Sequence, residues 1–490
     1  MNIKTNLDKE KYYSVFKAND ARFDGRIFVG VSSTGIYCRP VCRAKMPKKE
    51  NCTFYSSATS AESAGYRPCL ICRPELAPGF APIDASSRIV QKATLLIDEN
   101  FLSENNIKNL AKTLNITDRS LRRVFLSEYG VSPIQYLQTN KLLLAKNLLT
   151  DTNLSITDIA FTAGFGSIRR FNTLFKNHYR MSPSALRKQI KPANIEECDS
   201  ITLYLGYRPP YNWNSLLAFL ANRTIPGVET VSGNAYHRTV IIQHNNKDYR
   251  GWISVRNSEK NNTLAVTISV TLLPILTKVL SRVKYLFDLH CDPIEIYNKL
   301  QTMNTLKNNI CVEGTRLPGS FDPFEMAVRA VLGQQITVKA AQTLAGRFAL
   351  NYGTKITTPI NGLTHTFPTP EDFCKLDTPI ENHLGSLGVT GARSRSIFSL
   401  ASEILNGNID LSRNTDPNIQ MQNLLKLPGF GPWTVQYIAM RALNFTDSFL
   451  STDYGIKKAL TGYNTKEIMA LSEQWSPWRS YSTINLWNSL

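Results

Sequence analysis

Four cysteines stand in two short-spaced pairs, Cys38 with Cys42 and Cys69 with Cys72, separated by 26 residues. Spacings of C-x3-C and C-x2-C let four thiolates close a tetrahedral site on one metal ion, and that ligand set selects Zn2+. Arg39, Arg43, Lys45, Arg67 and Arg73 surround the ligands, and no acidic residue lies within either motif. A zinc ion under four thiolates is net negative, so these cations stabilise the centre and would draw a polyanion toward it. The bland role of such a site is a structural staple, because zinc binding contributes roughly 10–16 kcal/mol to folding a small domain. A second candidate for chemistry is a lone carboxylate, Asp453, in FLSTDYGIKKAL. A lone Asp before a helix is most often an N-cap.

The wording around the cysteines, FDGRIFVGVSSTGIYCRPVCRAK and ENCTFYSSATSAESAGYRPCLICRPE, resembles the N-terminal domain of the Ada family over about residues 10–80. The resemblance implies that Cys38 is both zinc ligand and methyl acceptor, and that Thr34, Arg43, Lys45 and Arg67 contact DNA. The chemistry is sound. A free thiol is mostly protonated at neutral pH, whereas a metal holds sulfur as the thiolate nucleophile. Attack on the methyl carbon of a methyl phosphotriester leaves a thioether, so the transfer is expected to be stoichiometric and irreversible. Loss of one negative charge would then tighten DNA binding. The second acceptor motif of that family, P-C-H-R, is missing, so repair of O6-methylguanine is not expected.

Asp453 follows LLKLPGFGPWTVQYIAMRALN, in which Pro428-Gly429-Phe430-Gly431 joins two helical stretches. Gly429 and Gly431 let the backbone approach a phosphate, which N–H groups at the next helix start can bind. Hairpin, loop and Asp at this spacing resemble the helix-hairpin-helix glycosylase superfamily. YRPPYNWNSLLAFLANR, GVETV, AVRAVLGQQIT and EQWSPWRSYSTINLW resemble the AlkA family of alkylated-base glycosylases, over nearly all of residues 200–490. The resemblance implies that Asp453 is the catalytic carboxylate. An N-alkylated base is cationic and already a good leaving group, so little general acid is needed. A carboxylate can stabilise the oxocarbenium-like sugar and guide the attacking water. It further implies a base pocket of Phe219, Trp433, Tyr437 and Trp487, whose faces attract a cation; the alternative is that these rings are only core. The wedge that fills the gap left by a flipped base falls on Gln335, with the apolar Ile336 beside it as the other candidate. Gly455 and Asn488 stand where the family carries bulkier groups. Trp433 occupies the place of the lysine used by backbone-cleaving relatives, so a monofunctional enzyme is expected, and no iron–sulfur cysteine quartet lies near the C-terminus.

Other elements must hold these groups. Residues 86–190 contain an internal repeat. Ile107, Leu110 and Ala111 recur 49 positions on as Ile156, Ile159 and Ala160, and Leu121, Phe125 and Tyr129 recur 50 on as Phe171, Phe175 and Tyr179. Each copy reads as a helix, a break and a second helix; the second opens on a capping-box arrangement of Ser155 and Asp158 and turns at Ala163-Gly164-Phe165. The trailing helices carry Arg119, Arg122 and Arg123 in one copy, Arg169 and Arg170 in the other. Two helix-turn-helix units with basic second helices could enter successive major grooves, and the segment resembles the AraC-type DNA-binding domain. Which arginine reads a base and which a phosphate stays open.

The chain of 490 residues has a net charge of +18. Residues 1–190 carry 28 Lys+Arg against 15 Asp+Glu, so the N-terminal part is the stronger anchor for an anionic partner. Cys52, Cys198, Cys291, Cys311 and Cys374 lack ligand spacing and read as reduced thiols. The polar opening predicts no secretory leader, and the most apolar run, LAVTISVTLLPILTKVL, is too interrupted for a membrane span. A cytoplasmic, nucleoid-associated bacterial protein is expected, with double-stranded DNA, both alkylated and promoter, as partner and RNA polymerase as a further candidate.

A linker is predicted at 188–200, strands in SITLYLGY, HRTVIIQH, YRGWISVRN and TLAVTISV, a helix near 213–222, and one from Pro323 with Asp322 as N-cap and Glu325 at N3. The expected fold is a multidomain α+β chain: a small four-cysteine zinc domain at 1–80, an all-α double helix-turn-helix at 86–190, a small mixed α/β domain at 200–285 and an all-α helix-hairpin-helix glycosylase domain at 286–490. The rival reading is a transcription regulator whose glycosylase domain binds DNA without catalysis.

Overall fold

The computed structural model describes residues 6–79, 88–98, 107–189, 199–377, 379–413 and 415–490. Most of the expected linker, residues 190–198, lies outside them. The chain divides into two compact units. One holds Met1–Pro209, Ser258–Ser281 and Leu289–Cys291; the other holds Pro210–Asn257, Arg282–Asp288 and Asp292–Leu490.

The first unit begins with helix α1 (Asn6–Lys17) and a four-stranded sheet, β1 (Phe28–Val31), β2 (Ile36–Cys38), β3 (Cys52–Tyr55) and β4 (Arg67–Pro68), in the order β3-β1-β2-β4. The central β1 pairs antiparallel with both β2 and β3, placing Val29 opposite Cys38. Phe16, Ile27, Val29, Cys52 and Phe54 form a small core under the four cysteines. Helix α2 (Ala58–Ser63) is closed by a capping box between Ser57 and Ser60.

Helices α3 (Arg88–Asp98), α4 (Ile107–Thr113), α5 (Asp118–Tyr129), α6 (Pro133–Asp151), α7 (Ile156–Thr162), α8 (Ile168–Tyr179) and α9 (Pro183–Gln189) follow. The pairs α4/α5 and α7/α8 are the predicted helix-turn-helix units, joined by the 19-residue α6. Repeat partners share burial: Leu121 and Phe171, and Phe125 and Phe175, are all fully buried. Gly130 and Arg180 end α5 and α8 in the same left-handed conformation, at φ 70° and 57°. At Ser155 the expected capping box is only half made. Ser155 Oγ accepts from the Asp158 N–H, but the Asp158 carboxylate accepts a hydrogen bond from the Ser155 hydroxyl rather than from the Ser155 backbone N–H. Gly164 turns the chain at φ 80°.

Buried charge joins the sheet module to α6. Glu62 of α2 accepts from Tyr37 Oη at 3.0 Å and Thr139 Oγ1 at 3.1 Å. Glu75 pairs with Lys146 at 2.5 Å, both almost fully buried. This unit also holds the antiparallel ladder of β5 (Ser200–Gly206) with β9 (Thr263–Ser269), whose outer face alternates with its inner face along β5.

The second unit opens with α10 (Trp213–Ala221) and the antiparallel strands β6 (Glu229–Ser232), β7 (Ala235–His244) and β8 (Lys247–Ser258). The short β6 was not anticipated. The apolar run 264–280 resolves into β9, a 3-10 turn through Pro274 and the start of α11 (Leu276–Leu286), and among the described residues no helix is long and apolar enough to cross a membrane. Then come α12 (Pro293–Leu300), α13 (Pro323–Leu332), α14 (Val338–Tyr352), α15 (Pro370–Cys374), α16 (Ile380–Gly385), α17 (Gly391–Leu405), α18 (Pro417–Leu425), α19 (Pro432–Arg441), α20 (Tyr454–Ala459), α21 (Thr465–Glu473) and α22 (Arg479–Asn488). Helix α13 is the core of the bundle: Asp322 caps it at N–H of Glu325 (2.9 Å), as its D-P-x-E start predicts, and eight of its ten residues are buried. A buried network fixes β6 and β7 to α13: Arg238 pairs with Glu325 at 2.6 Å, and Arg329 with Glu229 at 3.1 Å.

Candidate functional site

Sγ atoms of Cys38, Cys42, Cys69 and Cys72 lie within 4.8 Å of one another. Cys38 ends β2, so the sheet positions it; Cys38, Cys42 and Cys69 are buried and Cys72 is half-buried. Four sulfurs this close compete for one another's protons. Hydrogen bonds with Cys42 and the other two push the Cys38 thiol up, while those with Cys38 and Cys42 hold Cys69 down. A dication among them removes that conflict, so the donor set fits one Zn2+. Backbone N–H groups support the charge: Arg39 donates to Cys72 Sγ at 3.3 Å and Ile71 to Cys69 Sγ at 3.4 Å. An Ala44 backbone donor helps hold Cys42 down, after its bond with Cys38. Such bonds orient and stabilise metal thiolates.

The surrounding cations do not all face outward. Arg39 is buried against Asp24, and Arg73 reaches Asp151 at 2.7 Å and Asn147 at 2.9 Å on α6. Acids outside the motif neutralise both, because a buried guanidinium needs a partner. Thr34, Arg43 and Lys45 are exposed and Arg67 half-buried. Thr34 sits on the tight turn between β1 and β2, its N–H donating to Val31 O at 3.1 Å. Arg119, Arg122, Arg123, Arg169 and Arg170 are all exposed on the early turns of α5 and α8, with Arg122 held by Asp118 at 3.1 Å.

In the second unit, Asp453 is the N-cap of α20, accepting from Gly455 N at 2.9 Å and Ile456 N at 3.2 Å through Oδ1. The capping role is real, and the carboxylate has further partners. Trp487 Nε1 donates to Oδ1 at 2.8 Å, and Trp433 Nε1 to Oδ2 at 3.0 Å. Gly455 permits this: a Cβ there would lie 2.9 Å from the Trp487 ring and 3.1 Å from Asp453 Oδ1. The four expected pocket aromatics do converge. Trp433 and Tyr437 stack in parallel at 5.3 Å, Phe219 and Trp487 stack at 6.2 Å, and Tyr437 and Trp487 lie 6.3 Å apart. Asn488 bonds Ser215 Oγ of α10 at 3.0 Å.

Two residues that sequence reasoning missed belong to this cluster. Arg223 lies over the Phe219 ring at 3.8 Å, and Arg441 lies 5.1 Å from the same ring and donates to Tyr437 Oη at 3.0 Å. Arg441 stands four positions after Tyr437 within α19, a helical spacing that puts both on one face, while Arg223 follows the end of α10, four positions after Phe219. Burial pushes the Tyr437 phenol up, but the guanidiniums of Arg441, Arg223 and Arg329 outweigh it and hold the phenol below its ordinary value.

Gly429 of the hairpin has φ 81°, and a Cβ on it would meet Ser396 Oγ at 2.2 Å, so glycine is required twice over. Gly431 is different: it is the N-cap of α19, has open space beside it and no side-chain cap, which leaves first-turn amides for an anion. Gln334 ties this hairpin to the loop after α13, donating to Gly429 O and Thr434 Oγ1, each at 2.9 Å. Its neighbour Gln335 is exposed with φ 54°, while Ile336 packs against the core.

A carboxylate under stacked aromatics beside a glycine-bearing helical hairpin, joined in one chain to a four-cysteine metal site and a paired helix-turn-helix, defines a DNA repair enzyme fused to a DNA-binding regulatory module. Family models agree: the metal binding domain of Ada matches residues 11–75, a helix-turn-helix domain 110–189 and the AlkA N-terminal domain 202–322. A Mycobacterium tuberculosis protein described as a "probable bifunctional transcriptional activator/DNA repair enzyme AlkA" is 34% identical over 99% of this chain and 97% of its own length. The DNA-3-methyladenine glycosylase 2 of Escherichia coli is 33% identical over 58% of this chain and 95% of its own. The bifunctional transcriptional activator/DNA repair enzyme AdaA of Bacillus subtilis is 33% identical over 38% of this chain and 85% of its own. The chain belongs to the family of bifunctional transcriptional activator/DNA repair enzymes of the AlkA and Ada type.

Proposed function

We propose that this chain is a monofunctional DNA glycosylase of the 3-methyladenine type, fused to a methyl-accepting transcription regulator. The observation that carries the enzymatic half is Asp453, held by two indole N–H groups at the edge of an aromatic cluster. With the flipped base against Trp433, Tyr437, Phe219 and Trp487, the carboxylate faces the sugar. It stabilises the positive charge that develops as the C1′–N bond breaks, and it accepts a proton from the water that adds to C1′. Donors fix it in place, so little reorganisation is needed. Gln335, projected by its left-handed backbone, fills the gap in the duplex; Gly429 and Gly431 hold the phosphate backbone. N3-methylated purines are the chief substrates.

In the regulatory half, Cys38 Sγ attacks the methyl carbon of a methyl phosphotriester; the carbon–oxygen bond breaks and the phosphodiester anion leaves. Bound zinc keeps the sulfurs as thiolates at neutral pH. Cys38 is the nucleophile because, among the described residues, it is the ligand sulfur without a backbone N–H donor to blunt it. Thr34, Arg43, Lys45 and Arg67 hold the damaged strand, and Arg119, Arg122, Arg123, Arg169 and Arg170 hold promoter DNA, where RNA polymerase is the partner. The working division is 1–80, 86–190, 200–285 and 286–490, and the setting is the bacterial cytoplasm at the nucleoid. Chromatography of free bases released from methylated duplex DNA tests the enzymatic half: 3-methyladenine is expected in the soluble fraction, and its absence would refute the assignment.

A further inference from the structure

Phe219 already carries a cation. Arg223 follows α10 and its backbone is held on both sides: its N–H donates to Leu220 O at 2.9 Å and its carbonyl accepts from the Arg329 guanidinium. Its own guanidinium bonds Phe219 O at 3.3 Å and lies 3.8 Å from the Phe219 ring centre and 5.9 Å from that of Trp487. Arg441 adds a second positive charge, 5.1 Å from the same ring. The two differ in freedom. Arg441 is almost fully buried and bonded to Tyr437 Oη and Gly319 O. Arg223 is half-buried; its guanidinium bonds Phe219 O of the preceding helix at 3.3 Å and also interacts with the Tyr437 phenol.

From this arrangement we infer that Arg223 sets the charge selectivity of the base pocket, holding down the preference for cationic alkylated bases relative to neutral damaged bases. This rests on the glycosylase reading above. A ring's negative face attracts a cation, and here one is in place before any base arrives. Any base that stacks on Phe219 must move or share the guanidinium, a cost common to all. Coulomb repulsion is not common: a cationic base meets it and a neutral base does not. Burial pushes the Arg223 guanidinium down to about 10, so it still carries charge at neutral pH. The residue therefore works as a filter that broadens the enzyme toward neutral lesions at the expense of cationic ones.

The test compares wild type, Arg223→Gln and Arg223→Lys on duplexes with a single N7-methylguanine (cationic) or a single hypoxanthine (neutral), reading kcat/KM for each. Arg223→Gln is expected to raise the methylguanine-to-hypoxanthine ratio roughly tenfold, the size expected for one unit charge taken from beside the stacking ring. Arg223→Lys, which keeps the charge, should stay within about twofold of wild type. Arg223→Met keeps the aliphatic stem and serves as the neutral variant should Gln fail to fold. An unchanged or lowered ratio in the neutral variants, with both activities measurable, would overturn the inference alone, as would a Lys variant that behaves like Gln. A wild type that releases neither base would overturn the glycosylase reading and this inference together.

Discussion

Trp487 Nε1 donates a 2.8 Å hydrogen bond to Asp453 Oδ1, across 34 positions of sequence and over a glycine that leaves room for the ring. The same indole stacks on Phe219. One side chain therefore both orients the carboxylate and forms part of the stacking surface, so the aromatic cluster and the carboxylate are positioned together. Replacing Trp487 with Phe keeps a stacking ring and deletes the donor. A bond to a charged group is worth about 1.5–3 kcal/mol. The single-turnover excision rate should fall by roughly tenfold or more while lesion-DNA affinity changes little. An equal loss in rate and affinity would mean that the ring, not the donor, matters.

Gly429 makes a sharper structural prediction. Gly429→Ala meets both an unfavourable φ and the Ser396 hydroxyl, and should cost about 1–3 kcal/mol of stability with weakened binding to undamaged duplex. Gly431→Ala, with open space beside it, should leave the melting temperature nearly unchanged. Paired thermal melts and fluorescence-anisotropy titrations separate the two glycines.

Glu75 tests the link between the sheet module and α6. Lys146 would be left buried without its partner in Glu75→Ala, at a cost of about 3–5 kcal/mol. Burial pushes the Glu75 carboxyl up, yet Lys146 and Arg73 outweigh it and hold it below its ordinary value. A lowered carboxyl contributes stability that is present above the ordinary carboxylate range and lost as pH falls through the lowered value. Denaturant unfolding of wild type should thus weaken on acidification more steeply than that of Glu75→Gln.

Tyr437 should titrate early. Its phenol sits among three guanidiniums and is held below the ordinary tyrosine value. The difference in tyrosinate absorbance between wild type and Tyr437→Phe should show one phenol ionising below the others. Since the folded-state value is lowered, its contribution to stability grows with pH across the interval up to the ordinary value. A difference curve centred on or above the ordinary range would count against the guanidinium cluster.

What could be seen in the sequence was local. The paired cysteine spacings, the repeat from Leu121 to Phe171 and the D-P-x-E start at Asp322 each encode their geometry within a few residues, and the structure places them as expected. Gly429 reads as a close-approach glycine, and the close approach the structure shows is to Ser396 Oγ. What escaped was set by partners distant in the chain. Nothing near Arg39 indicates that Asp24, 15 positions away, would bury and neutralise it, and although Glu75 pairs locally with Arg73, nothing near it announces Asp151, 78 positions away. Glu62 gives no local sign that Tyr37 and Thr139 converge on it. Arg223 and Arg441 stood in plain view four positions after Phe219 and Tyr437, but basic residues at or just past a helix end read as solvated. Only the packed cluster shows that they face the rings.

Cys38→Ala separates the two halves of the proposed function. It should abolish uptake of labelled methyl from phosphotriesters and leave base excision within about twofold of wild type, the two sites being built from different residues. Chelation of the metal should likewise unfold the four-cysteine module, read by loss of zinc and of far-ultraviolet signal, since structural zinc binding is folding free energy.

The most direct measurement is the single-turnover release of 3-methyladenine from alkylated duplex by wild type and by Asp453→Asn, at matched DNA affinity. Asn keeps the size and the acceptor oxygen but removes the charge. The account predicts release by wild type and a loss of at least about a hundredfold in the variant, the scale of a lost electrostatic stabiliser. Equal release by both proteins would contradict it, and would remove Asp453 from the chemistry.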